Sequence, residues 1–454
     1  MPPKKKTEAS KPGGIQALLE RMAASGSRAV TATQLSERWR YLDFRDPKTG
    51  LPTISQEWLI GCRGFRSGTI NQFRGYKASG KTSTMMLQYG ASQLLTGKES
   101  PCVHIETEGS GYSPDRIWEF GVDPDMLLSF DNMNSIEAIT ERIDDIVCNV
   151  RGGFGGSIGV MGRKVKSQYG EGTDPDCEFP ILIGIDSLSM LGSADKADTD
   201  VVDLSKSNQI AYLSVKMREW FRERAKRYEE KYVTLFLATH ATLKDITGSA
   251  AMYGGPKRTS VAGDAIEQVD TVAIDFPDRK DWKDENDKSK VLGTIIRPKV
   301  FKNKLNFPGN ELEMFLSRGN GFDMIHTDCT FLLDRKESPF NAENGVFVET
   351  SDLKPTRGMF AWRYAGKIKC PLLRNNKDFG SEEEFVRELY ANEDVLMQIR
   401  QGLQIRGFNL PFETKYKDER TMKRIDLMNQ AMRYGVPGAD GSVEGSEETP
   451  EEAE

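Results

Sequence analysis

The sequence predicts an α/β fold with a mostly parallel central sheet, and three stretches carry that prediction. Gly75-Tyr76-Lys77-Ala78-Ser79-Gly80-Lys81-Thr82 is a glycine-rich turn set between Gly68 to Arg74, which alternates like a short strand, and Thr84 to Tyr89, which reads as a helix. Phe179 to Asp186 is an apolar run ending in a carboxylate, the pattern of a parallel strand covered on both faces. Val233 to Thr239 is a further strand, ending at His240.

The first stretch fits the phosphate-binding pattern of two glycines followed by Lys and a hydroxyl residue, in the strand, loop and helix setting that the motif needs. Its glycines let backbone N–H groups converge on phosphate oxygens, and the helix N-terminus favours negative charge. Lys81 is suited to neutralise β and γ phosphates, and the Thr82 hydroxyl to bind Mg²⁺. Asp186, ending its strand in the Walker B manner, would hold Mg²⁺ through water beside Thr82. The expected ligands are ATP and Mg²⁺. The nucleotide set is Gly75, Tyr76, Lys77, Ala78, Ser79, Gly80, Lys81, Thr82, Ser83 and Asp186, with Thr82 and Asp186 at the metal. A glycine-rich turn with a chance Lys-Thr pair is the bland alternative, and the flanking elements weigh against it.

A chain of 454 residues allows two or three domains. Six cysteines, at 62, 102, 148, 177, 329 and 370, are scattered without a CxxC pair, which reads as reduced thiols and not as a zinc site or disulfide frame. The longest apolar run, near Phe179 to Leu191, is interrupted by Asp186 and too short for a bilayer, and no signal peptide is visible; a soluble cytoplasmic protein is expected. The net charge of −6 is mostly a tail, since Asp440 to Glu454 holds seven acidic residues and no basic one, leaving +1 for the remainder.

In chain order, residues 1–14 read as a disordered basic arm around Lys4-Lys5-Lys6. Residues 15–49 hold a short amphipathic helix, Ile15 to Met22, and a linker suited to packing on its own domain or docking on another subunit. After the P-loop helix, Cys102-Val103-His104-Ile105 is a strand ending in Glu106-Thr107-Glu108. A carboxylate there can orient and deprotonate an attacking water, which makes Glu108 the candidate base; a solvated strand cap has the same appearance. Ser113-Pro114-Asp115 starts a helix closed by Gly121, and residues 151–178 are a glycine-rich, somewhat basic insertion. Residues 193–207 read as a loop and Asn208 to Arg227 as a helix. His240 at its strand end can sense a γ-phosphate or simply cap the strand. In the loop from Leu243 to Gly263, Met252, Tyr253, Gly254, Lys257 and Arg258 suit a single nucleic acid strand, where rings stack and cations hold phosphates; an ordinary surface loop is the alternative.

Taken together, the order of these residues resembles the RecA family of recombinases over roughly residues 50–325. Gly75 to Thr82 resembles its Walker A loop, and Glu106-Thr107-Glu108 with Pro114 and Phe120-Gly121-Val122-Asp123 its catalytic-glutamate segment. Met252-Tyr253-Gly254-Gly255-Pro256 with Gly263-Asp264-Ala265 resembles its second DNA-binding loop. Arg297, Lys299 and Phe301-Lys302-Asn303-Lys304 resemble the strand carrying its intersubunit lysines. The resemblance implies a RecA-like core and a helical filament on single-stranded DNA, with ATP between adjacent subunits. It implies Lys302 and Lys304 acting in trans on the γ-phosphate, Arg297 and Lys299 near a second strand, and homologous duplex DNA as a further partner. Single-strand-binding and mediator proteins are possible partners on the same ground, and no membrane is expected. Three departures mark a divergent member: His240 resembles the phage branch, Arg116 stands at an adenine-stacking aromatic position, and Gln268 replaces an aromatic residue linked to interface communication.

Beyond residue 326 the resemblance fades. Residues 326–436 read as a small C-terminal domain, strand-rich or irregular from Phe331 to Arg374 and helical from Glu382 to Arg406, with Phe385, Leu389, Val395, Leu396 and Ile399 as core positions. Residues 437–454 are an acidic tail. The expected function is a DNA-dependent ATPase that forms filaments and promotes strand exchange in recombination and repair. A ring-forming helicase and an ATP-binding assembly protein without DNA-stimulated turnover are the rival readings.

Overall fold

Aliphatic and aromatic residues crowd both faces of the central strands, so these strands can lie only in the interior of a layered α/β structure. The structure is a computed structural model, which describes residues 41–95, 101–108, 114–131, 133–151, 180–191, 206–244, 257–260, 264–284, 286–333, 356–357, 361–364, 366–370, 372–373 and 378–405. The basic arm, the helix at Ile15 to Met22, the insertion after residue 151 and the acidic tail lie outside the described residues. Residues 1–41 and 42–454 separate as two units, and the account below concerns the second.

The strands are β1 (Tyr41–Asp43), β2 (Gly64–Arg66), β3 (Ile70–Gly75), β4 (Cys102–Glu106), β5 (Leu127–Phe130), β6 (Ile181–Asp186), β7 (Val233–Lys244), β8 (Lys257–Ser260), β9 (Val272–Phe276), β10 (Arg279–Lys283), β11 (Val291–Ile296), β12 (Lys299–Asn303), β13 (Met314–Ser317), β14 (Gly321–Phe322), β15 (Thr356–Arg357), β16 (Trp362–Tyr364) and β17 (Lys367–Lys369). The helices are α1 (Ile54–Ile60), α2 (Lys81–Leu95), α3 (Ile136–Arg151), α4 (Lys206–Glu230), α5 (Asp264–Val269), α6 (Met324–Leu332), α7 (Glu382–Ala391) and α8 (Glu393–Ile405), with a short turn of helix at Pro114–Ile117.

The main sheet runs β12-β9-β3-β7-β6-β4-β5. From β9 to β5 every neighbouring pair is parallel, and β12 is antiparallel at the edge. Every residue of β3, β4, β6 and β9 is buried. On one face, Ile136, Ile139, Ile143, Ile146 and Val147 of α3, at helical spacing, join Met217, Trp220 and Phe221 of α4 in a core with Val103, Ile183 and Leu235. On the other, Tyr89 of α2 donates its hydroxyl to the Val103 carbonyl at 3.0 Å. Gly184 of β6 permits that approach, because a Cβ there would lie 2.0 Å from the Tyr89 oxygen.

A second, antiparallel sheet has the order β10-β11-β13-β14, and β15, β16 and β17 form a three-stranded meander. Helices α7 and α8 are fastened to α1 and α6 by buried polar contacts. Asp328 of α6 accepts from the Ser55 amide at 3.1 Å, from the Ser55 hydroxyl, and from the Tyr390 hydroxyl at 2.9 Å. The Ile54 amide donates to Tyr390 at 2.7 Å, and Arg400 makes two bonds to Glu57, at 2.9 and 2.6 Å. Burial pushes the Asp328 carboxyl up to about 7, against the opposing pull of the Ser55 and Tyr390 bonds.

Two elements differ from the expectation. The strand expected to end at His240 runs on to Lys244, because Ala241 to Lys244 pairs antiparallel with β8 and sets Thr242 opposite Thr259. The stretch expected as a loop from Leu243 therefore has strands at both margins. The helical stretch from Glu382 breaks at Asn392, whose side chain bonds the Glu388 carbonyl at 2.7 Å and whose amide bonds Leu389. Phe385, Leu389, Val395, Leu396 and Ile399 are all buried.

Candidate active site

In an open parallel sheet, the carboxyl ends of the strands leave backbone groups and loop side chains free to meet a ligand. Gly75 ends β3 in register with His240 of β7, and Glu106 ends β4 in register with Asp186 of β6. The glycine-rich turn leaves β3 here and enters α2 at Lys81. Gly80 has φ +100, a conformation that L side chains rarely adopt, and a Cβ on it would lie 2.9 Å from the Ile296 side chain. Gly75 is similarly confined, with Ser79 and Phe276 under 3.0 Å from a Cβ. Tyr76 and Lys77 are exposed, Ala78 has a positive φ of 57, Ser79 is buried, and Ser83 is half-buried in the first turn of α2.

The Lys81 ammonium is buried and donates to the carbonyls of Gly75 at 3.2 Å and Tyr76 at 2.8 Å. Burial lowers its pKa below the usual lysine range, and the charges of Asp186 and Glu108 oppose that shift. The Thr82 hydroxyl donates to Asp186. Burial raises the Asp186 carboxyl above the usual aspartate range, with the Thr82 bond pulling the other way. This hydroxyl and carboxylate, side by side beneath a helix N-terminus, are the hard oxygen donors that a magnesium ion takes.

Glu108 follows β4, and one of its oxygens meets His240 Nε2 at 2.6 Å and the Ser187 hydroxyl at 2.7 Å. Burial works to raise this carboxyl, but the Ser187 and His240 bonds and the Lys81 charge outweigh it and hold the group below the usual glutamate range. The His240 amide in turn donates to the Ser189 hydroxyl at 2.8 Å. A carboxylate kept ionised, held by two side chains and facing a lysine is equipped to take a proton from water.

Sequence reasoning gave no role to several neighbours of the predicted Asp186. His104 and Glu106 are buried with it, and the three present ligand atoms within 4.8 Å of one another. The period-two spacing of His104 and Glu106 on one strand is the only sequence signal for this group. Glu106 also accepts the Glu108 amide at 2.9 Å, and Arg279 of β10 donates to the Ala78 carbonyl at 3.1 Å.

The remaining candidates lie elsewhere. Lys302 donates to Asp270 and to the Glu267 carbonyl, and Lys304 to the carbonyls of Gln268 at 3.0 Å and Val269 at 3.4 Å. Arg297 bonds Glu313 at 2.9 Å, and Lys299 lies 3.8 Å from Glu311. Lys257 and Arg258 are on β8, whereas Met252, Tyr253 and Gly254 lie outside the described residues. Arg116 is exposed and pairs with Glu119 at 3.4 Å.

No family model matches the chain. It is similar to Protein RecA of Paracoccus denitrificans, 22% identical over 277 residues, which are 61% of this chain and 65% of that protein. It is also similar to Protein RecA of two strains of Cereibacter sphaeroides, 23% identical over 273 residues, 60% of this chain and 66% and 64% of those proteins. The chain thus spans less than two thirds of the length of the curated relatives it matches. These similarities support a RecA-family relationship, and the mostly parallel seven-stranded path of the central sheet fits it. Among the described residues no helix is long and apolar enough to cross a membrane.

Proposed function

We propose that this chain is a DNA-dependent ATPase of the recombinase type, forming helical filaments on single-stranded DNA and pairing it with homologous duplex. The observation that carries the reading is the convergence of Lys81, Thr82, Asp186, Glu108 and His240 at the carboxyl ends of adjacent parallel strands. Lys81 and the amides at the start of α2 would hold the phosphates of ATP, with Gly75 and Gly80 keeping the turn close to them. Thr82 and Asp186 would hold Mg²⁺, which when bound supplies positive charge to the phosphate oxygens. Glu108 takes the proton of the attacking water, and Ser187 and His240 fix the orientation of its carboxylate. His240 is in our reading the residue that couples the γ-phosphate position to β7, whose far end borders the stretch we assign to single-stranded DNA: Met252, Tyr253, Gly254, Lys257 and Arg258. Arg297 and Lys299 are assigned to a second strand. Lys302 on β12 and Lys304 just past its end are assigned to the phosphates of ATP held by a neighbouring copy. His240 and the 151–178 insertion favour a phage-type member acting in the cytoplasm, in company with single-strand-binding and mediator proteins.

The test measures ATP hydrolysis with and without single-stranded DNA and images the same samples in a non-hydrolysable ATP analogue. DNA-stimulated turnover with open helical filaments is expected. Closed rings would point to a helicase, and turnover indifferent to DNA without assembly would overturn the proposal.

A further inference from the structure

Two strands bring an imidazole and two carboxylates to one buried place. Side chains alternate along a strand, so His104 and Glu106 of β4 share a face of the sheet. In the parallel pairing Glu106 stands beside Asp186 of β6, and His104 beside Gly184. The three side chains meet there with His104 at 0%, Glu106 at 4% and Asp186 at 8% exposure. Their ligand atoms lie within 4.8 Å of one another.

The missing side chain of Gly184 makes room for the Tyr89 hydroxyl, whose single proton goes to the Val103 carbonyl at 3.0 Å. Toward His104 Nδ1, at 3.4 Å, the same oxygen can only accept. That contact places the ring proton on Nδ1 and leaves Nε2 to the carboxylates. Nε2 lies 3.8 Å from Glu106 Oε2, longer than a hydrogen bond but within the about 4.2 Å spanned by two ligand bonds that meet at one ion. The other Glu106 oxygen accepts the Glu108 amide at 2.9 Å, which orients the carboxylate. Two buried carboxylates side by side repel unless a cation lies between them. An imidazole whose far nitrogen is held by a fixed oxygen is the usual way a protein presents nitrogen to a metal.

We propose that His104, Glu106 and Asp186 bind one divalent transition-metal ion beneath the nucleotide site, separate from the magnesium ion assigned to Thr82 and Asp186. The ligand set decides the class. One neutral nitrogen and two carboxylates suit zinc, manganese or cobalt, whereas magnesium takes oxygen ligands and keeps several waters. One Asp186 oxygen accepts the Thr82 hydroxyl, and the carboxylate has a second oxygen for a second ion. Two carboxylates with a neutral imidazole carry two negative charges, which a divalent ion cancels. The ion ties β4 to β6 and fixes the Asp186 carboxylate. The site rests on the geometry of the two strands and stands whether or not the chain turns over ATP on DNA.

The test titrates Co²⁺ into the full-length, tag-free and nucleotide-free protein and reads visible absorption and melting temperature. One equivalent is expected to bind, with the visible band of nitrogen and oxygen ligation, no near-ultraviolet thiolate band, and a raised melting temperature. Millimolar Mg²⁺ should leave that band in place. His104→Phe puts a ring of similar size in the same space and should abolish both the band and the rise. Glu106→Gln keeps the shape of the carboxylate and should do the same, so it carries the comparison if His104→Phe does not fold. Tyr89→Phe removes only the oxygen that orients His104 and should weaken Co²⁺ binding about 10- to 100-fold. His240→Gln should bind like the parent. If the parent takes up no Co²⁺, His104 is an imidazolium paired with Glu106 and the inference is wrong. If the ion survives Glu106→Gln, is lost in His240→Gln or leaves in Mg²⁺, it sits elsewhere and the inference is equally wrong.

Discussion

Two buried aspartates in this molecule accept hydroxyl hydrogen bonds and do opposite things. Asp328 is bonded by the Ser55 amide, the Ser55 hydroxyl and the Tyr390 hydroxyl, donors fixed on α1 and α7. Asp186 accepts the Thr82 hydroxyl, and its charge and that of Glu108 act on Lys81. At Asp328 every donor belongs to a packed helix, so the carboxylate acts as a rivet between the core and the C-terminal helices. Around Asp186 the donor stands in the first turn of α2, where a hydroxyl, the Lys81 ammonium and the amides of the helix start can be redirected to a ligand. Burial is shared by both places; a helix start in place of packed helix interiors separates a site from a joint.

The comparison breaks first at the site. Glu108→Gln removes the proton acceptor but keeps a side chain of the same shape, and we expect DNA-stimulated turnover to fall by about 10²–10⁴-fold with melting unchanged. A steady-state ATPase assay beside a melting curve checks it; a large loss of stability would make Glu108 a structural residue. At the joint the signs reverse. Arg400→Met strands Glu57, which is 1% exposed, and is expected to destabilise by about 3–5 kcal/mol with ATP affinity retained. Tyr390→Phe deprives Asp328 and the Ile54 amide of one partner each and should cost about 1–3 kcal/mol in a denaturant titration.

The last effect is one of pH. An aspartate at 3.8 when unfolded and about 7 when folded binds its proton more tightly in the native state. Its contribution to stability is therefore complete below about pH 4 and is lost as pH rises to about 7. Asp328→Asn should flatten the decline of stability across that window, and a decline of equal slope in the variant would assign it to other groups.

How much of this can be read from the chain depends on how far apart the partners stand. The strand, glycine-rich turn and helix from Ile70 to Leu95, the apolar strand ending at Asp186 and the strand before Glu108 are local patterns, and each element stands where the pattern places it. Ser187 and Arg279 leave no local trace, since Ser187 meets Glu108 across 79 residues and Arg279 meets Ala78 across 201. The extension of β7 is hidden for the same reason, because its partner β8 comes only after the intervening stretch. The pairing of Lys302 with Asp270 is hidden in the same way, because the buried carboxylate stands 32 residues before its lysine.

The contact between Gly184 and Tyr89 reaches beyond folding into how this sequence can change. A methyl group on Gly184 would collide with the Tyr89 hydroxyl oxygen beneath α2, so Gly184 cannot enlarge while Tyr89 stays. Across descendants the two should covary: a larger residue on β6 only where Tyr89 has given way to a shorter one. The pair is a constraint on lineage, written in the space between one helix and one strand.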